Sequence, residues 1–162
     1  MKRYTIFSLY MQGSNQSPQA CHGLNVLWRK LVNGEFSAQA AELFKQWTNV
    51  EVEIMLQGGY HKDLEELYVE LSKIPAIPSA KFNESIEANN GACSLVTFVA
   101  DSRIVAINNH IRSNRLTPAN AYDSIIGKEV VMVDANGQKT SFIPTESEVF
   151  VASKIAFLSL AK

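Results

Sequence analysis

Gln19 and His22 stand three residues apart at the start of a stretch with helical periodicity, a spacing that puts both side chains on one face near a helix N-terminus. That end of a helix carries partial positive charge and free N–H groups, which suit a phosphate or a developing oxyanion. An unperturbed imidazole titrates near neutrality, at about pH 6.5, so His22 could take a proton from an attacking water. The same pair could instead anchor the loop ahead of the helix. Glu84 and Glu87 sit in a poorly patterned stretch, where they could bring a carboxylate to the site or form a solvated loop.

Other reactive residues suggest less. Cys21 is adjacent to His22, but neighbouring helical residues point about 100° apart, so a thiol–imidazole pair is not expected. Cys21 and Cys93 are both expected in the core. His22, His61 and His110 show no metal-ligand spacing, and neither a metal site nor a cofactor is expected. Gly58-Gly59 lacks the context of a phosphate-binding loop and reads as a turn. Arg103, His110, Arg112 and Arg115 make one region basic. Arg112 and Arg115 are expected to share a face that could contact a phosphate backbone, or simply be solvated and salt-bridged.

The elements that must position these residues follow from patterning. Tyr4–Tyr10 is β-branched and aromatic and predicts a buried strand. Ser17 and Pro18 predict a cap and first helical position, and Cys21, Leu24, Leu27, Trp28 and Leu31 an apolar helix face ending at Asn33-Gly34. A second helix is expected over Ser37–Trp47, a half-buried strand over Val50–Leu56, and a helix over Lys62–Ile74 stopped by Pro75. An edge strand is expected within Ser79–Asn90 and another strand over Cys93–Val99, with Asp101 capping a helix that fades near Arg115. Glu129–Asp134 and Lys139–Ile143 flank Ala135-Asn136-Gly137 as a hairpin. Thr145 and Glu148 form a capping-box pattern ahead of an apolar helix. The fold class expected is α/β: a three-layer α/β/α domain with a mixed four-stranded sheet, plus a C-terminal hairpin and helix.

Composition sets the outer limits. A chain of 162 residues is near the common size of one domain, and 46% hydrophobic with 19% charged residues is an ordinary globular mixture. A net charge of -1 argues against indiscriminate nucleic-acid binding, while leaving room for a local basic patch. Two distant cysteines favour a reducing, cytoplasmic compartment over a disulfide scaffold. The apolar start is short and interrupted by Thr5, Ser8 and Gln12, unlike a signal peptide, and the run Val149–Ala161 is too short to span a bilayer. No membrane association is expected.

With this order of elements, the sequence resembles the type-2 peptidyl-tRNA hydrolases. The family's first helix has the form Gly-Lys-x-Ala-Ala-Gln-x-x-His-Ala, and Ser14 to Gly23 place Gln19 and His22 on its Gln and His. Leu64–Leu71 is similar to the family's Glu-Glu-Leu-x-Glu-Leu helix, and Gly91–Ala100 to its Gly-Thr-x-Thr strand. The resemblance covers residues 1–115; residues 116–162 are expected as an extension packed on the same domain, covering the site or making a homodimer contact. Asn15 stands where the family has lysine, and Lys2, Lys81 or Arg29 could replace that charge in space. The family's Asp-Ala-Gly-x-Thr signature has no counterpart in Lys81–Glu87, where Asn83 or Glu84 is the nearest stand-in. The resemblance implies a site at the start of the first helix that hydrolyses the ester between a peptide or blocked amino acid and the tRNA 3′ end. It assigns His22, Gln19, Asn15 and Glu84 to catalysis, and Arg29, Arg112 and Arg115 are the candidate RNA contacts. The alternative is a catalytically degenerate copy of the fold that binds tRNA, a nucleotide or a protein without turnover.

Overall fold

A computed structural model of the chain describes residues 1–10, 16–134 and 136–160, with the backbone alone at 88, 89, 159 and 160. Its elements are β1 (Lys2–Phe7), α1 (Gln16–Val32), α2 (Ala38–Thr48), β2 (Glu53–Gln57), α3 (His61–Ser72), β3 (Ser79–Asn83), α4 (Ile86–Asn89), β4 (Cys93–Ala100), α5 (Ser102–Ser113), α6 (Ala121–Ile125), β5 (Val130–Val133), β6 (Lys139–Phe142), α7 (Glu146–Phe157) and β7 (Ser159–Leu160). Local chemistry sets most helix ends. The Ser37 hydroxyl accepts from the Ala40 N–H at 3.1 Å, and the Asp101 carboxylate from that of Ile104 at 2.9 Å. Thr145 and Glu148 close a capping box, each side chain accepting from the other's N–H. Helix α1 starts at Gln16, one residue ahead of the expected cap at Ser17. Pro18 therefore lies in the first turn, where its missing N–H removes no helical bond. Gly34, at φ +70°, ends α1 in a left-handed residue that favours glycine, and the Glu35 N–H reaches back to the Lys30 carbonyl at 2.9 Å.

The strands lie in the order β3-β4-β1-β2-β7. β1 and β2 are parallel, and the remaining neighbours antiparallel. This is the expected mixed four-stranded sheet, with the two-residue β7 added beside β2. Helices cover both faces. On one, Leu27, Phe44 and Trp47 of α1 and α2 pack with Ala80 and Val99, while Ala20 meets Phe7 and Leu95. On the other, α3, α5 and α7 bring Leu64, Leu67, Leu71, Ile104, Ile107 and Ile155 against Tyr4, Ile6, Val96 and Phe98. Three layers, α/β/α, result.

Residues beyond 116 join this second layer. Val149, Val151 and Ala152 of α7 belong to the same apolar cluster, and Ser147 donates to Glu70 on α3 at 2.7 Å. Arg103 on α5 makes a two-pronged pair with Glu148, at 2.5 and 2.9 Å. The run from Val149 to Ala161 is not one helix: α7 ends at Phe157 and the chain turns into β7 on the edge of β2. Among the described residues no helix is long and apolar enough to cross a membrane.

A polar group is enclosed under α2. Arg3, 3% exposed, pairs with Glu53 at 2.6 Å and lies 4.9 Å from the centre of the Trp47 ring. The Thr5 hydroxyl donates to Glu53 at 2.6 Å and shares a 3.0 Å hydrogen bond with Thr97. These side chains occupy the alternate positions of β1, β2 and β4 that a one-sided sheet would leave in water.

Candidate functional site

The buried face of α1 is made of Gln16, Ala20, Gly23 and Leu27. Small residues at its middle let the helix lie close on β4: a Cβ on Gly23 would come within 2.8 Å of Leu95 Cδ1. This contact fixes the helix's rotation and turns the neighbouring flank, with Gln19 and His22, toward β3. The His22 ring stacks on Phe82, with centroids 4.8 Å apart and planes 10° from parallel. Gln19 is half-buried, and its Oε1 is sealed from water with no hydrogen-bond donor among the described residues. Glu84, two residues past Phe82, has the same condition: its backbone N–H bonds to the Ala92 carbonyl at 3.0 Å, but its Oε1 is buried and unpartnered.

One turn of α1 before His22, and two residues past its partner Phe82, there is thus a buried acceptor oxygen without a donor among the described residues, on Gln19 and on Glu84. A buried acceptor left unpaired costs about 1–3 kcal/mol, which a bound donor or an ordered water would recover. The corner lies at the end of the sheet where the parallel strands β1 and β2 finish. In open α/β sheets, ligands favour the crevice outside the carboxyl ends of the strands. Tyr10 and Tyr60 follow those two strands. They are 74% and 56% exposed, and their rings pack at 5.7 Å. The Leu9 N–H bonds to the Gly59 carbonyl at 3.1 Å, and the Gly58 N–H to the Phe7 carbonyl at 2.7 Å, which holds the two segments together. Such exposed rings can stack on nucleobases.

The other expected site residues divide. Asn15 lies outside the described residues. Arg29 is exposed on α1, two turns and roughly 10 Å along the axis from His22. Lys81 is committed to Glu65 at 2.5 Å, and Lys2 lies at the opposite end of β1 from the corner, so neither supplies a free charge there. Arg112 belongs to α5, in the opposite helical layer, so the three candidate RNA arginines do not form one surface. Arg115 follows the end of α5 at φ +50°, so it does not share a helix face with Arg112 as expected. Cys21 is exposed instead of buried, because α1 rests on its Ala20–Gly23 line. Glu87 is exposed, with its carboxyl held below the usual range by its own N–H and the Ser85 hydroxyl. His22, His61 and His110 lie on three different helices; His61 Nδ1 accepts from the Cys93 N–H at 2.6 Å. Among the described residues no three His, Cys, Asp or Glu side chains gather as a metal-binding group.

Phe82, under His22, and Tyr10 and Tyr60, which follow β1 and β2 at the same end of the sheet, are residues that patterning did not single out. Their only sequence signal is an aromatic beside a turn or strand end, which buried aromatics share. Compared with known proteins, the chain matches no family model and no curated protein.

Proposed function

We propose that the chain is a divergent peptidyl-tRNA hydrolase-like enzyme that cleaves the ester between a peptide or blocked amino acid and the tRNA 3′ end. The observation that supports this is the accessible His22 imidazole stacked on Phe82, with an unpartnered buried oxygen on Gln19, one turn before it in α1, and another on Glu84, two residues past Phe82. In this reading Gln19 and Glu84 accept hydrogen bonds from the attacking water or the substrate amide, and fix its position. His22 takes the water's proton as oxygen adds to the ester carbonyl, then returns it to the departing 3′ oxygen. The positive end of the α1 dipole faces the developing negative charge. Tyr10 and Tyr60 offer stacking surfaces for the terminal unpaired bases.

One observation favours a second reading, in which the fold binds such an RNA end without turnover. Among the described residues nothing hydrogen-bonds to His22, whereas a working base is ordinarily oriented by a third group.

The test is hydrolysis of an N-blocked aminoacyl-tRNA by the purified chain, with His22→Ala, Gln19→Ala and Glu84→Gln alongside. The proposal expects turnover that falls about 10²–10⁴-fold in His22→Ala. Binding without cleavage by the folded protein would establish the second reading. Full activity in the His22→Ala, Gln19→Ala double variant would remove these residues from the mechanism.

A further inference from the structure

On the other side of the sheet, a cavity of about 340 Å³ opens between the starts of β1 and β2 and the helices α5 and α7. Its size falls at the lower end of small-molecule sites, roughly 300–1,000 Å³. Two cationic side chains, Lys2 and Arg112, line it beside Met1, and among the described residues no Asp or Glu does. Among the described residues neither cation is in an ion pair. Among the described residues the Arg112 guanidinium makes one hydrogen bond, a long one of 3.5 Å to the Ile155 carbonyl. Arg3, Arg103, Lys73 and Lys81, in contrast, each hold a carboxylate.

Tyr4, Asn108 and Asn109 add a phenol and two amides to the lining. Two of these are held in place: Tyr4 stacks on Phe98 at 5.7 Å, and Asn108, 7% exposed, donates to the Ala152 carbonyl at 3.3 Å. Burial pushes the Tyr4 phenol up, and the nearby Arg112 charge pulls it the other way, as expected where a guanidinium faces a dry wall. The remaining lining is apolar, from Ile54, Leu56, Ile155 and Leu158.

Two cationic side chains that no described carboxylate holds, at a half-apolar cavity, are complementary to one kind of molecule. We propose that this cavity binds a small organic anion, its carboxylate or phosphate monoester head held by Arg112 and Lys2 and its apolar body against Ile54, Leu56, Ile155 and Leu158. A guanidinium can grip either head through two parallel N–H bonds, and the ammonium adds a point charge. The site is separate from the α1 corner, with the sheet between them, and does not depend on the reaction proposed there.

The test uses the full chain, with phenyl phosphate and benzoate as probes and inorganic phosphate and phenol as controls. Binding is read by calorimetry and by backbone amide shifts. The proposal expects at least one probe to shift amides of residues 2–4 and 108–112. Its affinity should fall about tenfold or more in Arg112→Gln and also fall in Lys2→Gln, with both controls much weaker. The stronger of the two probes identifies the head group. Three results would overturn the proposal: no shift of those amides by either probe, an affinity unchanged in both charge variants, or inorganic phosphate binding as tightly as phenyl phosphate.

Discussion

Replacing Glu53 by alanine takes the carboxylate away from a guanidinium that is already almost wholly enclosed. In the native chain Arg3 Nη2 meets Glu53 Oε2 at 2.6 Å, while Arg3 Nε and Nη1 are buried without acceptors. Removing one partner of a buried pair costs about 3–5 kcal/mol, chiefly because the remaining charge cannot be solvated. Glu53 is 20% exposed and the Trp47 ring stays over the cation, so the lower end, about 3 kcal/mol, is expected. For a chain of this length each kcal/mol moves the midpoint by about 2–4 °C, so Tm should drop by roughly 6–12 °C. Thermal and urea unfolding, followed by circular dichroism and tryptophan fluorescence, would measure it. The double variant Arg3→Met, Glu53→Leu removes both charges and should return to within about 1 kcal/mol of the native protein. A loss below about 1 kcal/mol in Glu53→Ala would refute the reasoning, as would a double variant no more stable than the single one.

Two further outcomes follow from the same kind of argument. Burial pushes the Cys93 thiol up to about 12, whereas Cys21 is exposed, so a thiol reagent at pH 8 should label Cys21 quickly and Cys93 only after denaturation. Equal labelling of both in the native protein would contradict the packing of β4. Burial pushes Glu148 up, but the Arg103 pair and the Thr145 N–H outweigh it and hold the carboxyl below its ordinary range. A depressed carboxyl contributes stability that is present above the unfolded pKa and lost as pH falls through the lower folded one. Glu148→Gln should therefore flatten the decline of Tm below about pH 4.3, measured against the native chain because Asp101, raised by burial, acts in the opposite sense.

Signals that act over a few residues were the ones legible in the sequence. Asp101 and the Thr145–Glu148 box cap the helices they were expected to cap, Gly34 ends α1, and Ser37, expected as the first residue of α2, is instead its cap. The alternation in Val50–Leu56 identified β2 as a strand, although its outward position Glu53 is not in water: helix α2 covers that face and turns the carboxylate into Arg3's partner. Patterning treats such a residue as solvated because the covering element is elsewhere in the sequence. Helix α1 was located correctly but rotated. Its cysteine and Trp28 were expected inside, whereas the helix rests on Ala20 and Gly23, since close approach to a sheet favours small residues over large apolar ones. Helix α6, five residues long, is too short for periodicity to register, and β7 was absorbed into the apolar run that follows Thr145. At the candidate site, Gln19 and His22 were visible as a spaced pair. The aromatic Phe82 beneath His22 comes from a strand sixty residues on, and only the folded sheet brings it there.

The central position of β1 also has a consequence for how the chain reaches its structure. Thr5 is 48 residues from Glu53 and 92 from Thr97, the neighbours that flank it on β2 and β4. Of this sheet's strands, the one made first is therefore the one that needs partners on both sides, and the second partner arrives late. At about 5–20 residues per second, the wait for β4 is roughly 5–20 seconds, during which Tyr4, Ile6 and Phe7 have only part of their cover. Long-range closures of this kind slow folding and lengthen the time for which an apolar strand edge is open. The time taken to make and dock β4, and not the stability of the finished sheet, sets how long the nascent chain is exposed to misassembly.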